Sequence, residues 1–372
     1  MKKKILFLIP NLAHGGAERV LVNLVNNLDR SKYDITVQTL FDTGVNRKYL
    51  ASDIRYVGGL KKQFRRNNTF MKLFSPEFLW KHIVKEHYDI VVSYLEGPTS
   101  RILSGCTDSN TKRVAWIHIE LGTPQKAAVG FRSTKEAEKA YNSFDRIIVV
   151  SEQVKKCFCQ NLNIKTPVSV LYNTNETEQI REKSHQLPDD PVFVTGEIPA
   201  VCSVAKLMAT KGFDRLLNVH KRLLDEGHRH NVYILGIGEE EKTLRQKIHA
   251  YGVQDTFHLL GFKDNPYQYV ARCYLYVCSS RREGFSTAVT EALVVGTPVV
   301  STDCSGAKEL LGENNEYGIV VENSEEGIYE GMKKMLSDSE TLLYYKNKAI
   351  ERGYYFSKEK TVRAVEEMLD NL

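Results

Sequence analysis

Twice along this chain, short apolar, β-branched runs alternate with stretches of helical spacing, and the alternation breaks off and restarts near the middle. The first series predicts strands over 4–9, 34–40, 89–94, 114–118, 146–151 and 168–172. Helices are expected over 17–28, 79–86 and 136–142. The second predicts strands over 199–204, 231–236, 257–260, 275–278 and 298–301, with helices over 213–226, 239–251 and 287–295. Strands that read as continuous apolar runs are those buried on both faces, and helices between them make the sheet parallel and doubly wound. The stretch between the series, 174–192, is polar and holds Pro188, Asp189, Asp190 and Pro191, so it reads as a linker. The expectation is an α/β protein with one Rossmann-like domain over 1–173 and a second over 193–355. Residues 356–372 should form an amphipathic C-terminal helix able to pack back on the first domain. Open parallel sheets bind ligands at the carboxyl ends of their strands, so a ligand cleft facing both domains is expected.

Length agrees: 372 residues suit two domains, each large enough to bury a core without staples. The net charge of +5 conceals an asymmetry. Residues 1–173 hold 27 Lys and Arg against 15 Asp and Glu, whereas 174–372 hold 24 against 31. The two halves therefore present different fields to their partners. The seven cysteines, Cys106, Cys157, Cys159, Cys202, Cys273, Cys278 and Cys304, are odd in number and irregularly spaced, which points to reduced thiols in the cytosol. Lys2-Lys3-Lys4 before Ile5–Ile9 mimics a signal peptide, but Pro10 cuts the apolar run short and a buried first strand explains it better. No segment approaches 18 uninterrupted apolar residues, so no membrane span is expected.

The segment richest in chemistry is Arg282-Glu283-Gly284-Phe285-Ser286-Thr287, with Glu291 eight residues after Glu283 and Gly296-Thr297-Pro298-Val299-Val300 beyond it. Gly284 lets backbone approach a ligand, and Ser286 and Thr287 open a helix whose exposed N–H groups and dipole favour an anion. Spacing alone leaves open a plain capped helix flanked by surface glutamates. The pattern resembles the donor-site signature of the family-4 glycosyltransferases, which have the GT-B fold of two Rossmann-like domains, and the resemblance extends over nearly the whole chain.

The resemblance implies that Glu283 contacts the donor sugar and supports its positive face in the transition state. Backbone around Gly284, Phe285, Ser286 and Thr287 would hold the diphosphate, and Glu291 would accept from the ribose hydroxyls. Lys206 and Lys211-Gly212 are similar to the family's Arg-x4-Lys-Gly element, whose two cations neutralise the leaving diphosphate. Lys206 stands where the family has arginine, so charge is kept and a bidentate fork is lost. Gly15-Gly16, after the first strand, matches the family's glycine loop near the donor. His118 matches a strand-terminal histidine beside the donor sugar. The family's acidic residue just after that histidine is absent here: Ile119 follows, and Glu120 is the nearest substitute. Gly236-Ile237-Gly238 and Ser305-Gly306-Ala307 resemble further donor-domain turns.

An Asp-x-Asp motif for a diphosphate-bound cation is absent from the sequence. No metal and no cofactor is therefore expected. The resemblance implies transfer with retention from a nucleotide-diphosphate sugar, UDP being the first choice, by same-side displacement in which the leaving phosphate oxygen takes the acceptor's proton. It further implies synthesis of a bacterial capsule, exopolysaccharide or similar cell-surface polysaccharide. The acceptor, a saccharide or lipid-linked saccharide, is assigned to the basic first domain. There Lys61, Lys62, Arg65, Arg66 and Lys72 are interleaved with Phe64, Phe70, Met71, Leu73 and Phe74. Such a segment suits an anionic membrane surface, which makes the chain a cytoplasmic protein held peripherally at the inner face of the cell membrane. No nucleic-acid-binding module is visible. The competing readings are a GT-B epimerase or phosphorylase and a non-catalytic sugar-nucleotide-binding protein.

Overall fold

The computed structural model describes residues 2–13, 15–64, 67–194 and 196–372. The chain divides into two compact units, Met1–Asn175 together with Glu359–Leu372, and Glu176–Lys358.

The first unit is built on a seven-stranded sheet of β1 (Lys3–Ile9), β2 (Tyr33–Thr39), β3 (Arg55–Val57), β4 (Ile90–Ser93), β5 (Lys112–Ile117), β6 (Arg146–Val149) and β7 (Val168–Val170), in the order β3-β2-β1-β4-β5-β6-β7. Every pairing is parallel. Ile5 to Ile9 and Val91 and Val92 are wholly buried. That is why these strands carry no polar alternation: helices cover both faces. The edge strand Arg55–Val57 was not expected from sequence. It is three residues long, too short for a periodicity to show.

The second unit repeats the plan with β8 (Ala200–Val204), β9 (Asn231–Leu235), β10 (Phe257–Gly261), β11 (Leu275–Cys278), β12 (Val299–Thr302) and β13 (Ile319–Val321), in the order β10-β9-β8-β11-β12-β13 and again all parallel. Its core joins Val201, Val232, Ile234, Leu275, Val277 and Val300 of the strands to Leu216, Leu223, Met332 and Met335 of the helices. These two parallel sheets are the two halves of the GT-B fold anticipated above.

In each sheet the strand order reverses once, between β1 and β4 and between β8 and β11. The connections leaving those strands diverge to opposite faces and open a crevice at their carboxyl ends. Gly15 and Gly16 follow β1, and Lys206 and Lys211 follow β8; Glu283 follows β11.

Residues 174–192, expected as a linker, contain the helix Thr177–Ser184, with Ile180 buried beneath it. Arg272 donates to the carbonyls of Ser184 and His185 at its end, at 2.9 and 3.2 Å. The last helix, Lys358–Asp370, is amphipathic and buries Val362, Val365 and Leu369. It lies in the first unit, where the Tyr33 hydroxyl donates to Asp370 at 2.7 Å and the Asp29 N–H to Glu366 at 2.7 Å. None of the described helices is long and apolar enough to cross a membrane. All seven cysteines are free thiols.

Candidate active site

In the second unit, the chain leaves β8 through Ala205 and Lys206, makes the short turn Ala209–Lys211, and enters the helix Phe213–Asp225 at Gly212. Gly212 has φ +68°, and a Cβ there would fall 2.1 Å from the Ser279 carbonyl oxygen. Glycine is required by both the left-handed backbone and that close approach. The approach brings the β8 connection against the β11 connection, and with it Lys211 against Glu283.

The Lys211 ammonium donates to Glu283 Oε1 at 2.7 Å, and the Ser280 hydroxyl donates to the same oxygen at 2.6 Å. The Ser279 hydroxyl donates to the Lys211 carbonyl at 2.9 Å. Both charged side chains are mostly buried, 24% and 14% exposed. Burial alone would depress the Lys211 pKa, but the Glu283 carboxylate more than offsets it and the pKa is raised. Lys211 is thus a fixed cation at the carboxyl end of the sheet.

The β11 connection then turns through Gly284 and Phe285 into the helix Thr287–Val294. Phe285 is buried, its ring 5.7 Å from that of Phe356, which anchors the turn by its side chain. Ser286 caps the helix, accepting from the Val289 N–H at 3.3 Å, and no acidic residue occupies the first turn. That helix start therefore retains its attraction for an anion. Glu291, one turn further, accepts from the Tyr267 hydroxyl at 3.3 Å. Lys206 is exposed, and its ammonium makes no hydrogen bond or ion pair with a described residue. The structure thus brings together Lys211 and Glu283, and Lys206 forms no hydrogen bond or ion pair with either.

In the first unit, Gly15 caps the helix Gly16–Asn27. A Cβ on Gly15 would fall 1.8 Å from a carboxylate oxygen of Glu18, which folds back over the loop. His118 directly follows β5. Its ring is buried, 4.7 Å from the Tyr94 ring, and its Nε2 has no hydrogen-bond partner among the described residues. Burial pulls its pKa down to about 3, so the imidazole is neutral. An unpaired buried nitrogen is costly and suits a group awaiting a ligand.

A second acid, Glu96, stands at His118. Glu96 Oε2 accepts from the His118 backbone N–H at 3.0 Å, whereas Glu120 lies by the Cys157 thiol and raises its pKa after desolvation has done so. Sequence reasoning missed Glu96 because it follows β4, 22 residues earlier, and only the pairing of β4 with β5 brings it there.

Of the expected basic segment, Lys61 and Lys62 are exposed and Lys72 is half-buried, while Arg65 and Arg66 lie outside the described residues. Rings of Phe41, Phe64, Phe70, Phe74, Phe78 and His82 form a continuous ladder with successive centroids 3.9–6.2 Å apart. Its outer rungs Phe64, Phe70 and Phe78 are 41–50% exposed, and Leu73 is 72% exposed. The buried Arg101 guanidinium donates to the carbonyls of Met71 and Phe74 and pins the segment's turn to the fold.

Among the described residues, no group of three or more His, Cys, Asp and Glu side chains is placed to hold a metal ion. The two doubly wound parallel sheets are those of the GT-B fold. Comparison with known proteins makes this specific. Residues 14–179 match the model of Glycosyltransferase Family 4 and residues 191–352 that of Glycosyl transferases group 1. The chain belongs to the family-4, group 1 glycosyltransferases. It is 28% identical over 370 residues, 97% of this chain and 98% of the other, to the N-acetylgalactosamine-N,N'-diacetylbacillosaminyl-diphospho-undecaprenol 4-alpha-N-acetylgalactosaminyltransferase of Campylobacter jejuni. It is 25% identical to the capsular polysaccharide biosynthesis glycosyltransferase CapM of Staphylococcus aureus over 225 residues, 56% of this chain and 57% of the other. Among solved structures it shares its fold with HepE of Anabaena in complex with UDP and glucose, at a TM-score of 0.78 with 18% identity and full coverage of both chains.

Proposed function

We propose that this glycosyltransferase moves a hexosyl unit from a UDP-sugar to a lipid-linked saccharide in cell-surface polysaccharide synthesis, with retention and without a metal ion. The observation that carries this reading is the Lys211–Glu283 pair at the β8/β11 reversal, beside a helix start with no acidic residue in its first turn. A diphosphate leaving group needs cations and N–H donors, and a reacting sugar needs a carboxylate; both kinds of group are present within one loop pair.

The chemistry follows from these residues. The N–H groups from Gly284 to Thr287 and the Lys211 ammonium take up the diphosphate, with Lys206 adding charge. Glu283 accepts hydrogen bonds from the sugar's hydroxyls as Lys211 turns from it to the diphosphate. Glu291 holds the ribose. The neutral His118 offers Nε2 to a sugar hydroxyl, with Glu96 fixing the backbone that carries it. As the glycosidic C–O bond to phosphate breaks, positive charge on the sugar faces Glu283 and negative charge on the phosphate faces Lys211. The leaving phosphate oxygen takes the proton from the acceptor hydroxyl as the new bond forms on the same side.

The UDP preference is supported by HepE, solved with UDP, and the lipid-linked acceptor by the undecaprenol-linked compound in the name of the Campylobacter relative. We further infer that the aromatic ladder, with Lys61, Lys62 and Lys72, rests on an anionic membrane surface and brings the enzyme to that acceptor. Ligand-observed NMR with UDP-, GDP- and ADP-sugars, on the wild type and Glu291→Ala, tests the reading. Binding of one donor class, weakened by the substitution, supports it. Binding of none overturns it.

A further inference from the structure

Lys211 and Glu283 sit on two separate connections, and neither side chain lies on a strand or within a regular α-helix. Loops positioned only by an ion pair would follow their side chains whenever a ligand drew them apart. A second set of contacts joins these two loops without involving either side chain. The Arg281 guanidinium donates to the Ala209 carbonyl at 2.7 Å and, as a fork, to both Asp214 carboxylate oxygens at 2.8 and 2.7 Å. The Arg281 backbone N–H donates to the Thr210 carbonyl at 2.8 Å. One residue of the β11 connection thus holds the β8 connection at Ala209 and Thr210, just before Lys211, and at Asp214, in the first turn of the helix after it.

The reverse strap comes from Arg215, in the helix that follows Lys211. Its guanidinium donates to the Ser279 carbonyl at 2.6 Å and to Asn323 Oδ1 at 3.0 Å, and Asn323 in turn donates to the Arg281 carbonyl at 3.1 Å. Arg281 and Asp214 are 40% and 42% exposed. A pair so exposed adds little to stability, whereas a planar fork fixes distance and angle together.

We propose that Arg281 is a positioning residue for sugar transfer. It fixes the backbone of the Lys211 turn relative to the Glu283 loop, so that only the lysine side chain moves when the diphosphate takes it from Glu283. This rests on the reading of Lys211 and Glu283 as the donor site. A fixed backbone keeps the cation and the carboxylate at the separation the transition state needs. Without it, the turn drifts with the ammonium, and misplacements of this kind cost rate far from the chemistry.

The test uses Arg281→Lys, which keeps the charge and loses the fork, and Asp214→Asn, which keeps the shape and loses the charge. Arg222→Lys is the control, since Arg222 makes a somewhat more exposed fork to Glu326 elsewhere in the same unit. Nucleotide release from the sugar nucleotide gives kcat and KM, UDP binding by NMR gives Kd, and melting gives Tm. The expected result is a roughly ten- to hundredfold fall in kcat for both site variants, with UDP Kd within about threefold of wild type and Tm no lower than that of the control. Unchanged kcat in Arg281→Lys overturns the proposal, and so does a Tm loss well beyond the control with normal kcat in the folded fraction. Lys211→Ala separates the two readings. If it transfers normally, the donor-site reading fails. If it is inactive while Arg281→Lys is normal, only the positioning role fails.

Discussion

Lys211 and Glu283 meet at 2.7 Å although 72 residues separate them, and Ser280 shares the same carboxylate oxygen. Two donors on Oε1 orient the carboxylate and leave Oε2 without a donor among the described residues. Glu283→Gln keeps the shape but removes the charge that faces the reacting sugar. Transfer should fall by roughly 10²- to 10³-fold, the usual cost of losing one transition-state electrostatic contact. UDP, which has no sugar, should bind the variant within about threefold of wild type, because the lost group does not touch the nucleotide. Steady-state rates and UDP titration decide it; equal losses in both would remove Glu283 from the sugar side.

Glu291 lies one turn inside the helix that Ser286 caps, with the Tyr267 hydroxyl on Oε1. Its expected work is in the ground state, holding ribose hydroxyls through charge-assisted hydrogen bonds. Glu291→Ala should weaken UDP binding by about 1.5–3 kcal/mol, roughly ten- to a hundredfold. UMP should lose as much as UDP. A loss confined to UDP would place Glu291 at the phosphates instead.

How far the sequence could be read depended on the range of each interaction. β1 and β4 were legible because their residues are buried on both faces, so burial writes itself as unbroken apolar runs. The helix Thr177–Ser184 was not, since Ile180 is its one large buried apolar side chain and the surrounding residues are polar. Glu283 and Lys211 were found through a motif resemblance; nothing local announces that they touch. Glu96 escaped because Tyr94-Leu95-Glu96 reads like any strand exit, and its contact with His118 exists only through the neighbouring strand. Arg281 carries no sequence signal for the same reason: its partner Asp214 is 67 residues away.

Three buried histidines make acid sensitivity predictable. Burial pulls His118 down to about 3, His230 to about 4, and, with added repulsion from His230 and His258, His220 to about 2. His220 Nδ1 and His230 Nε2 are 2.9 Å apart, with Thr256 on the far side of His220 at 2.9 Å. All three folded-state values lie below the ordinary 6.5, so the unfolded chain takes up protons first as pH falls. Stability should be full above pH 6.5 and decline below it, by about 1.4 kcal/mol per pH unit for each histidine until its folded pKa is reached. Carboxylates titrate lower, which leaves pH 5.5–6.5 to the histidines. Half-buried His258 is pulled down by burial as well, so urea unfolding across that window should show a slope that His230→Gln reduces by about a quarter. An unchanged slope would mean that His230 is charged in the folded protein.

The aromatic ladder and its lysines should act together at a membrane. Each exposed lysine near an anionic surface contributes about 1 kcal/mol, and burying a Phe or Leu side chain contributes about 1.5–3 kcal/mol. Phe70→Ser with Leu73→Ser, and separately Lys61→Ser with Lys62→Ser, should each reduce flotation with phosphatidylglycerol liposomes. Only the apolar pair should reduce any residual binding to zwitterionic ones. Wild-type protein that ignores lipid charge would contradict the basic half of this assignment.

The C-terminal helix closes the first unit, and its contribution can be weighed at one residue. Leu369 is wholly buried, and the polar contacts around it are directional: Lys3 donates to its carbonyl at 2.9 Å, and the Tyr33 hydroxyl donates to the neighbouring Asp370. Leu369→Ala leaves a cavity and should cost about 2–5 kcal/mol. Tyr33→Phe removes one hydrogen bond to a carboxylate that keeps water and Lys32 as partners, so about 0.5–1.5 kcal/mol is expected. Because β1 and β2 lie beneath this helix, the loss should appear as faster amide exchange in Lys3–Ile9 and Tyr33–Thr39, with the strands of the second unit unaffected. Equal acceleration in both sheets would show that the helix stabilises the whole chain rather than the unit it joins.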